Sequence, residues 1–329
     1  MRLRFDEYQE RCLYDPEHGF FVTRPGAGTR GGDFLTSPEV GPLFGAVLAR
    51  WLDAVWVELG EPAAFDVVEV GAGRGALAAA IHRAAPRCAP ALRHVLVERS
   101  AALRARAEEL LGDRATVTSA LPERASGVIV ANELLDNIPA RIVTRTPRGW
   151  SEVFVEITDT GAVEVLEPCD GDPALPAEAL DIPAGTRLPL VEQAASWVDG
   201  ALGRLEAGRL LCLDYGVRST VELAERRWLR TYAGHERGAD PYESPMEQDI
   251  TIDVPMDQLP GGPSISTQAD FLRGWGIDEL VEEGRQLWEE RAHVGDLAAI
   301  AARSRINEAA ALLDPDGLGA FLVAEWIVP

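Results

Sequence analysis

The run "FDVVEVGAGRGALAAAIHRAA", residues 65–85, limits the fold more than any other stretch of this chain. A short apolar, β-branched segment turns through glycines into an alanine-rich helix, which is how a parallel strand feeds the helix that covers its own sheet. Gly71, Gly73 and Gly75 remove side chains at that turn, so a ligand can approach the backbone. The alternation then continues. "LRHVLVERS" reads as a strand, "AALRARAEELLG" as a helix closed by Gly112, and "ATVTS" and "GVIVANELLD" as two more strands. "RLLCLDYG" reads as a fifth core strand and "LGAFLVAEWIV" as a closing one. Such alternation predicts an α/β fold with a doubly wound parallel sheet. It is interrupted twice. "ARIVTRT", "GWSEVFVEI" and "AVEVLEP" predict a β-rich insertion, and residues 234–263, rich in Gly, Pro and Asp, read as one long loop of the kind that commonly carries function.

The glycine turn alone leaves its ligand open, because Gly71, Gly73 and Ala76 also satisfy the dinucleotide pattern and a glycine turn can hold nothing at all. Two carboxylates tilt the reading. Glu69, at the end of the first strand, would repel the pyrophosphate of NAD but would suit the ammonium of S-adenosylmethionine. Glu98, at the end of the second, can take two hydrogen bonds from ribose hydroxyls, and lies further downstream than the roughly 20 residues expected for NAD. The ends of parallel strands face the ligand crevice, so Asn132 and Glu133 of "ANELLDNIP" point toward the cofactor. Asn132 can offer a carbonyl oxygen and Glu133 a carboxylate to an amine or a guanidinium; the structural alternative is that Asn132 caps the following helix, Glu133 supports its dipole and Asp136 serves the same turn. Asp214 and Tyr215 of "CLDYG" reach the same edge, where Asp214 either holds the turn or meets substrate. Upstream, "GDFLTSPEV" reads as a helix start, with Thr36 or Ser37 as cap, Pro38 in the first turn and Glu39 against the dipole. That leaves Asp33 and Phe34 without a structural purpose.

Composition narrows the class. A chain of 329 residues, 47% hydrophobic, suits one large domain with elaborations or two modest ones. Every apolar run is broken by charge, Gly or Pro before it reaches membrane-spanning length, and the first residues resemble neither a signal peptide nor a transit peptide. The net charge is −22 and all 31 basic residues are arginine, which argues against a nucleic-acid partner and for a cationic one. Cys12, Cys88, Cys169 and Cys212 are scattered, as expected of free thiols in a cytoplasmic protein without a zinc or redox site.

Beyond these local readings, "YQERCLYDPEHGFF", "GGDFLTSPEVGPLFGAVLARW", "VEVGAGRGALAAAI", "ANELLDNIPAR", "LCLDYG", "RTYAGHERGADPYESPMEQDITIDV" and "TQADFLRGWGI" occur in the order seen in the MidA-like methyltransferases. The chain resembles that family over nearly its whole length. The resemblance implies a Rossmann-like, seven-stranded class I methyltransferase sheet with an N-terminal helical cap and the β-rich insertion. It also implies S-adenosylmethionine as donor, S-adenosylhomocysteine as product, and no metal. Mitochondrial members of the family methylate an arginine of a respiratory complex I subunit during assembly. The expected acceptor is therefore an arginine of a cationic protein or peptide, a respiratory complex subunit among the candidates. Composition points to neither nucleic acid nor membrane as partner, and a homodimer is one possible assembly.

On this resemblance residues 1–60 form a cap segment over the donor site. Residues 61–329 form the methyltransferase domain, with insertions at about 141–188 and 234–263. Thr36 and Ser37 are then available to the donor's carboxylate, beside Glu69, Gly71, Gly73, Gly75, Glu98, Ser119 and Asn132. Glu133 is the first candidate for the acceptor, followed by Asp33, Asp249 and Asp253, with His235 as an alternative proton acceptor and Tyr14, Phe34 and Tyr232 as pocket walls. The chain departs from the family in three places. Ser119 stands where an acidic residue is common, Asp253 where the "DIT" loop carries His, and Phe321-Leu322 where the family has Phe-Lys. These departures motivate a second reading, a small-molecule or peptide acceptor in specialised metabolism; a third is an assembly factor that binds the donor without turnover.

Overall fold

The computed structural model describes residues 1–23, 36–158, 161–233, 236–238, 240–294 and 296–329. Seven strands form the central sheet: β1 (Phe65–Val70), β2 (Leu92–Val97), β3 (Thr116–Thr118), β4 (Ala125–Asn132), β5 (Leu205–Asp214), β6 (Ser264–Thr267) and β7 (Leu322–Val328). Their order is β6-β7-β5-β4-β1-β2-β3. The run from β5 to β3 is parallel, and β7 lies antiparallel between β5 and β6. The sheet is thus mixed, with the reversed strand at the end the sequence left as a simple closing strand. β6 was not visible as a strand because it is a short edge segment, "SIST", with Ile265 its only apolar residue.

Alternate residues of each central strand serve opposite cores, as a period of two requires. Phe65, Val67, Val128 and Val130 pack with helix α2 (Pro42–Glu58). Val68, Val70, Ile129 and Ala131 face a second core shared with helix α1 (Phe5–Tyr14), helix α5 (Glu192–Leu202) and the insertion. Helix α3 (Ala76–Ala84) follows the glycine turn, and α4 (Ala101–Leu111) follows β2.

The insertion is β-rich, as expected, and the chain's own start completes it. Strands Arg141–Thr146, Gly149–Thr158, Gly161–Pro168 and Arg187–Leu190 form an antiparallel sheet, and Arg2–Arg4 adds to it with Leu3 opposite Val155. Residues 234–263 are not the featureless loop that their composition suggests. Leu229–Ala233, Glu236–Gly238 and Asp249–Ile252 make a three-stranded antiparallel sheet, and Val254–Pro255 pairs with Gly216–Val217. Ile250, Thr251 and Ile252 are all buried, so no alternation of apolar and polar residues marked this strand. Between the two small sheets lies α1. Its Gln9 donates to the Ile250 carbonyl (3.0 Å) and accepts from the Ala140 N–H (3.0 Å), and Tyr8 donates to the Pro241 carbonyl (2.7 Å). This clamp brings Tyr14, at the end of α1, to the crevice above β1 and β4.

Helices α2 and α3 meet at Gly45, where a Cβ would lie 2.4 Å from that of Ala80. Overpacking of this kind costs about 2 kcal/mol. Gly45→Leu is therefore expected to lower the unfolding free energy by that order, read as a lower denaturant midpoint at unchanged slope.

Candidate methyltransferase site

A cavity of about 740 Å³ opens at the C-terminal ends of β1, β2 and β4, where parallel sheets of this kind hold ligands. Its floor is the turn from Glu69 to Arg74; further walls come from Glu98 to Ser100, Ser119, Asn132 to Leu134, and Asp136 to Pro139. Tyr14, Phe21, Thr36, Pro38 and Glu39 cover it from the N-terminal segment, and Gln193 and Trp197 from α5.

Two glycines of the turn do different work. Gly73 (φ +55°) has nothing within 4 Å of where a Cβ would stand, and its N–H donates to Glu98 Oε2 at 2.9 Å. A side chain there would grow into open cavity. Gly75 (φ +82°) faces the other way, and a Cβ would press on Leu111 and Leu96 at 3.0 and 3.1 Å. Gly75 is therefore a packing glycine outside the cavity wall, a correction to its expected place among the donor-facing residues. Glu98 is held by two backbone donors, Gly73 and the Ser100 N–H (2.7 Å to Oε1), and burial raises its pKa while those donors oppose the rise. Its carboxylate is fixed before any ligand arrives. Glu69 is 6% exposed, and its Oε2 has no hydrogen-bond partner; His94 Nε2 lies 3.7 Å away. An open glycine cradle, an immobilised carboxylate and an unpaired one fit a donor that carries ribose hydroxyls and an ammonium.

Ser119, Thr36 and Asn132 line the cavity as expected, and Ser37 does not. Thr36 precedes the helical turn Ser37–Val40 as read from sequence, although its hydroxyl makes no capping bond. Ser37 is fully buried. Its hydroxyl meets Gln268 Oε1 (3.0 Å), and its backbone N–H donates to Glu133 Oε1 (3.2 Å). Tertiary contact with a residue 231 positions away removed this hydroxyl from the crevice, which no local pattern signals. Two ion pairs likewise join residues far apart in sequence. Arg74 within the glycine turn binds Glu39 of the cover (Nε to Oε1, 2.8 Å), and Arg99 after β2 binds Glu10 of α1 (2.6 Å) while lying over the Tyr14 ring.

On the neighbouring strand β4 ends at Asn132, and Glu133 turns the chain with φ +52°. Asn132 Nδ2 donates to Glu133 Oε1 at 3.0 Å. Three acceptor atoms then remain buried without a partner: Glu133 Oε2, Asp136 Oδ1 and Asn132 Oδ1. Asp136 Oδ2 takes the Thr251 hydroxyl at 2.5 Å. Burial first, and Asp136 second, push Glu133 up to about 8. Burial pushes Asp136 up to about 6, against the Thr251 hydrogen bond and the charge of Arg230. Asp214, 1% exposed and outside the cavity wall, holds the turn instead of meeting substrate.

Two expected acceptor carboxylates are not brought to the crevice. Asp249 is 2% exposed and accepts from Asn137 Nδ2 at 2.8 Å, behind the cavity wall. Asp253 pairs with Arg230 and its N–H donates to the Trp228 carbonyl at 2.8 Å. Tyr232 is likewise not part of the wall. Asp33, Phe34 and His235 lie outside the described residues. Among the described residues, no group of three or more His, Cys, Asp or Glu side chains is placed to hold a metal ion, and no helix is long and apolar enough to cross a membrane.

Sheet order, glycine turn and strand-end carboxylates together define a class I methyltransferase. Residues 47–261 match the family model described as "Putative S-adenosyl-L-methionine-dependent methyltransferase". The chain is 30% identical over 317 residues to the mouse (Mus musculus) protein arginine methyltransferase NDUFAF7, mitochondrial, an alignment covering 83% of this chain and 70% of that one. The Homo sapiens protein of the same name is 28% identical, with 83% and 69% covered. A Burkholderia thailandensis crystal structure with bound S-adenosyl-homocysteine superposes with a TM-score of 0.83 at 29% identity, covering 99% of this chain and 88% of that one. The chain belongs to this family of S-adenosylmethionine-dependent methyltransferases, as its resemblance to the MidA-like enzymes implied.

Gly73→Val should abolish S-adenosylhomocysteine binding by calorimetry while the far-UV circular dichroism stays that of the parent, since the branched side chain fills the cradle and not the core. Glu133 supplies a stability test. Its pKa is raised in the fold, so the stability it contributes is full below the ordinary carboxylate range and is lost as pH rises through about 8. Glu133→Gln cannot ionise. Its melting temperature should exceed that of the parent by a margin that grows from about pH 5 to about pH 8.

Proposed function

We propose that the enzyme N-methylates the guanidinium of an arginine in a protein acceptor. One observation carries this reading: Glu133 Oε2, Asp136 Oδ1 and Asn132 Oδ1 are buried acceptors without donors, and all three belong to residues that line the cavity. Leaving such groups unmade costs about 1–3 kcal/mol each, so a molecule that keeps them has a donor-rich ligand to receive. A guanidinium brings five N–H donors, no acceptor, and a positive charge. A hydroxyl acceptor would satisfy one oxygen and leave the others stranded. The names of the vertebrate relatives support the same class of acceptor.

The chain's residues divide the work. Glu98 is offered to the ribose, Glu69 to the ammonium, the open face of Gly73 with Gly71 to the body of the donor, and Thr36, Ser119 and Asn132 to its polar rim. S-adenosylmethionine supplies, when bound, a methyl group on a sulfonium sulfur that a nitrogen lone pair can displace in line. Glu133 and Asp136 orient one guanidinium nitrogen and draw its positive charge away, which restores nucleophilic character to that nitrogen. As the new N–C bond forms and the S–C bond breaks, Glu133 takes the proton that the nitrogen gives up. A base near 8 is matched to that task at neutral pH. The segment 1–60 acts as the cap in this scheme, and a respiratory complex subunit is the acceptor we favour within it. We also place the protein in the cytoplasm, since Cys12, Cys88, Cys169 and Cys212 are all unbridged, although the vertebrate relatives are named mitochondrial.

Incubation with methyl-labelled donor and a protein extract from cells lacking this gene should yield labelled methylarginine on acid hydrolysis; label confined to other residues or to small molecules would overturn the assignment. Glu133→Gln should lose about 2–4 kcal/mol of transition-state stabilisation, roughly thirty- to a thousand-fold in rate, with S-adenosylhomocysteine affinity nearly unchanged. The parent's kcat/KM should climb with pH until about 8, where Glu133 is ionised in the free enzyme.

A further inference from the structure

Asp214 ends β5 behind the acceptor wall, 1% exposed. Its Oδ2 accepts from the N–H groups of Leu134 (3.1 Å), Leu135 (2.7 Å) and Asp136 (3.3 Å), and its Oδ1 accepts from the Tyr215 N–H (2.9 Å). The backbone gathered on Oδ2 begins immediately after Glu133 and ends at Asp136. The N–H of Glu133 itself makes the last rung to β5, donating to the Leu213 carbonyl at 2.8 Å. The chain therefore passes from strand to turn within one residue, and that residue has a left-handed backbone at φ +52°. A long side chain in that conformation persists only where its surroundings hold it.

The choice of aspartate is itself informative. Burial and the nearby Asp136 and Glu133 carboxylates push its pKa well up, which makes it a costly cap. A neutral Ser or Asn can cap a turn, but Asn has a single acceptor oxygen, whereas here the N–H groups converge on two. The groups facing this cluster from the packed elements are Arg230 (over the Tyr215 ring), Tyr14 and Asp249. The N–H groups of Leu134, Leu135, Asp136 and Tyr215 are the donors that hold Asp214.

We propose that Asp214 is a positioning residue for methyl transfer, holding the turn so that Glu133 and Asp136, both lining the cavity, each keep one oxygen without a donor. This rests on the acceptor reading of Glu133. Its test is nevertheless independent of any acceptor.

The test is a double-mutant cycle on the melting temperature at about pH 8, combining Glu133→Gln with Asp214→Ala and with Asp214→Asn, and calorimetry of S-adenosylhomocysteine on every variant. In the parent background Glu133→Gln should raise the melting temperature, because a held, buried carboxyl no longer has to ionise. In Asp214→Ala that gain should vanish, since a released Glu133 turns to water; Asp214→Asn should retain part of it. S-adenosylhomocysteine affinity should stay within about twofold throughout, because Asp214 lies outside the cavity wall. An unchanged gain in both backgrounds would overturn the proposal, because a residue that serves the fold alone lowers every melting point equally. So would loss of S-adenosylhomocysteine binding in both Asp214 variants, or absence of the gain in the parent. Failure to find methylarginine, by contrast, would strike the acceptor assignment and leave this cycle standing.

Discussion

A carboxylate oxygen buried without a donor works against folding, and the turn after β4 contains two, Glu133 Oε2 and Asp136 Oδ1. Much of the surrounding structure can be understood as what keeps them there. Asp214 ties the backbone between them, Asn132 and the Ser37 N–H occupy only one oxygen of Glu133, and Thr251 occupies only one of Asp136. Each carboxylate is thereby oriented by one oxygen and left reactive at the other. The result is a wall with unsatisfied acceptors, which in the proposed function a cation with several N–H donors completes.

The donor half shares this logic in a milder form. Glu98 is satisfied by backbone N–H groups on both oxygens and still has lone pairs to offer, whereas Glu69 keeps one oxygen without a partner. The two halves meet on adjacent strands β1 and β4, which are in parallel register with Val70 opposite Ala131. Because both strands end at the same height, the glycine turn at Gly71 and the carboxylate turn at Glu133 stand side by side. The cover is fastened to the donor turns by ion pairs, Arg74 to Glu39 and Arg99 to Glu10, whose charges lie partly in solvent. The Arg99–Glu10 pair is exposed on both sides and contributes little to stability, whereas Glu39 of the other pair is buried.

The donor half was legible in the sequence because its chemistry is local. Strand, glycine turn and helix follow one another within one short run, and Glu69 and Glu98 each close a recognisable strand. Gly75 showed the limit of that pattern, since only the packing of Leu96 and Leu111 reveals which way a glycine in the turn faces. The acceptor half was half-legible. Glu133 stood out at a strand end, but Asp136 could not be separated from a cap, and Asp249 was favoured although the Asn137 amide draws it behind the wall. The three-stranded sheet around Asp249–Ile252 stayed hidden because its residues are buried on both faces and its partner strand begins upstream, at Leu229. Ser37 was misplaced because its fate depends on Gln268, in a helix from the far end of the chain.

The central claim, that the unpaired oxygens of Glu133 and Asp136 receive a guanidinium, is tested most directly by a crystal structure of the protein with S-adenosylhomocysteine and an arginine-containing peptide. The account predicts guanidinium nitrogens within hydrogen-bonding distance of both Glu133 Oε2 and Asp136 Oδ1, with the ribose hydroxyls on Glu98. A structure in which Glu133 instead binds the amino group of S-adenosylhomocysteine, with the arginine held elsewhere, would contradict it.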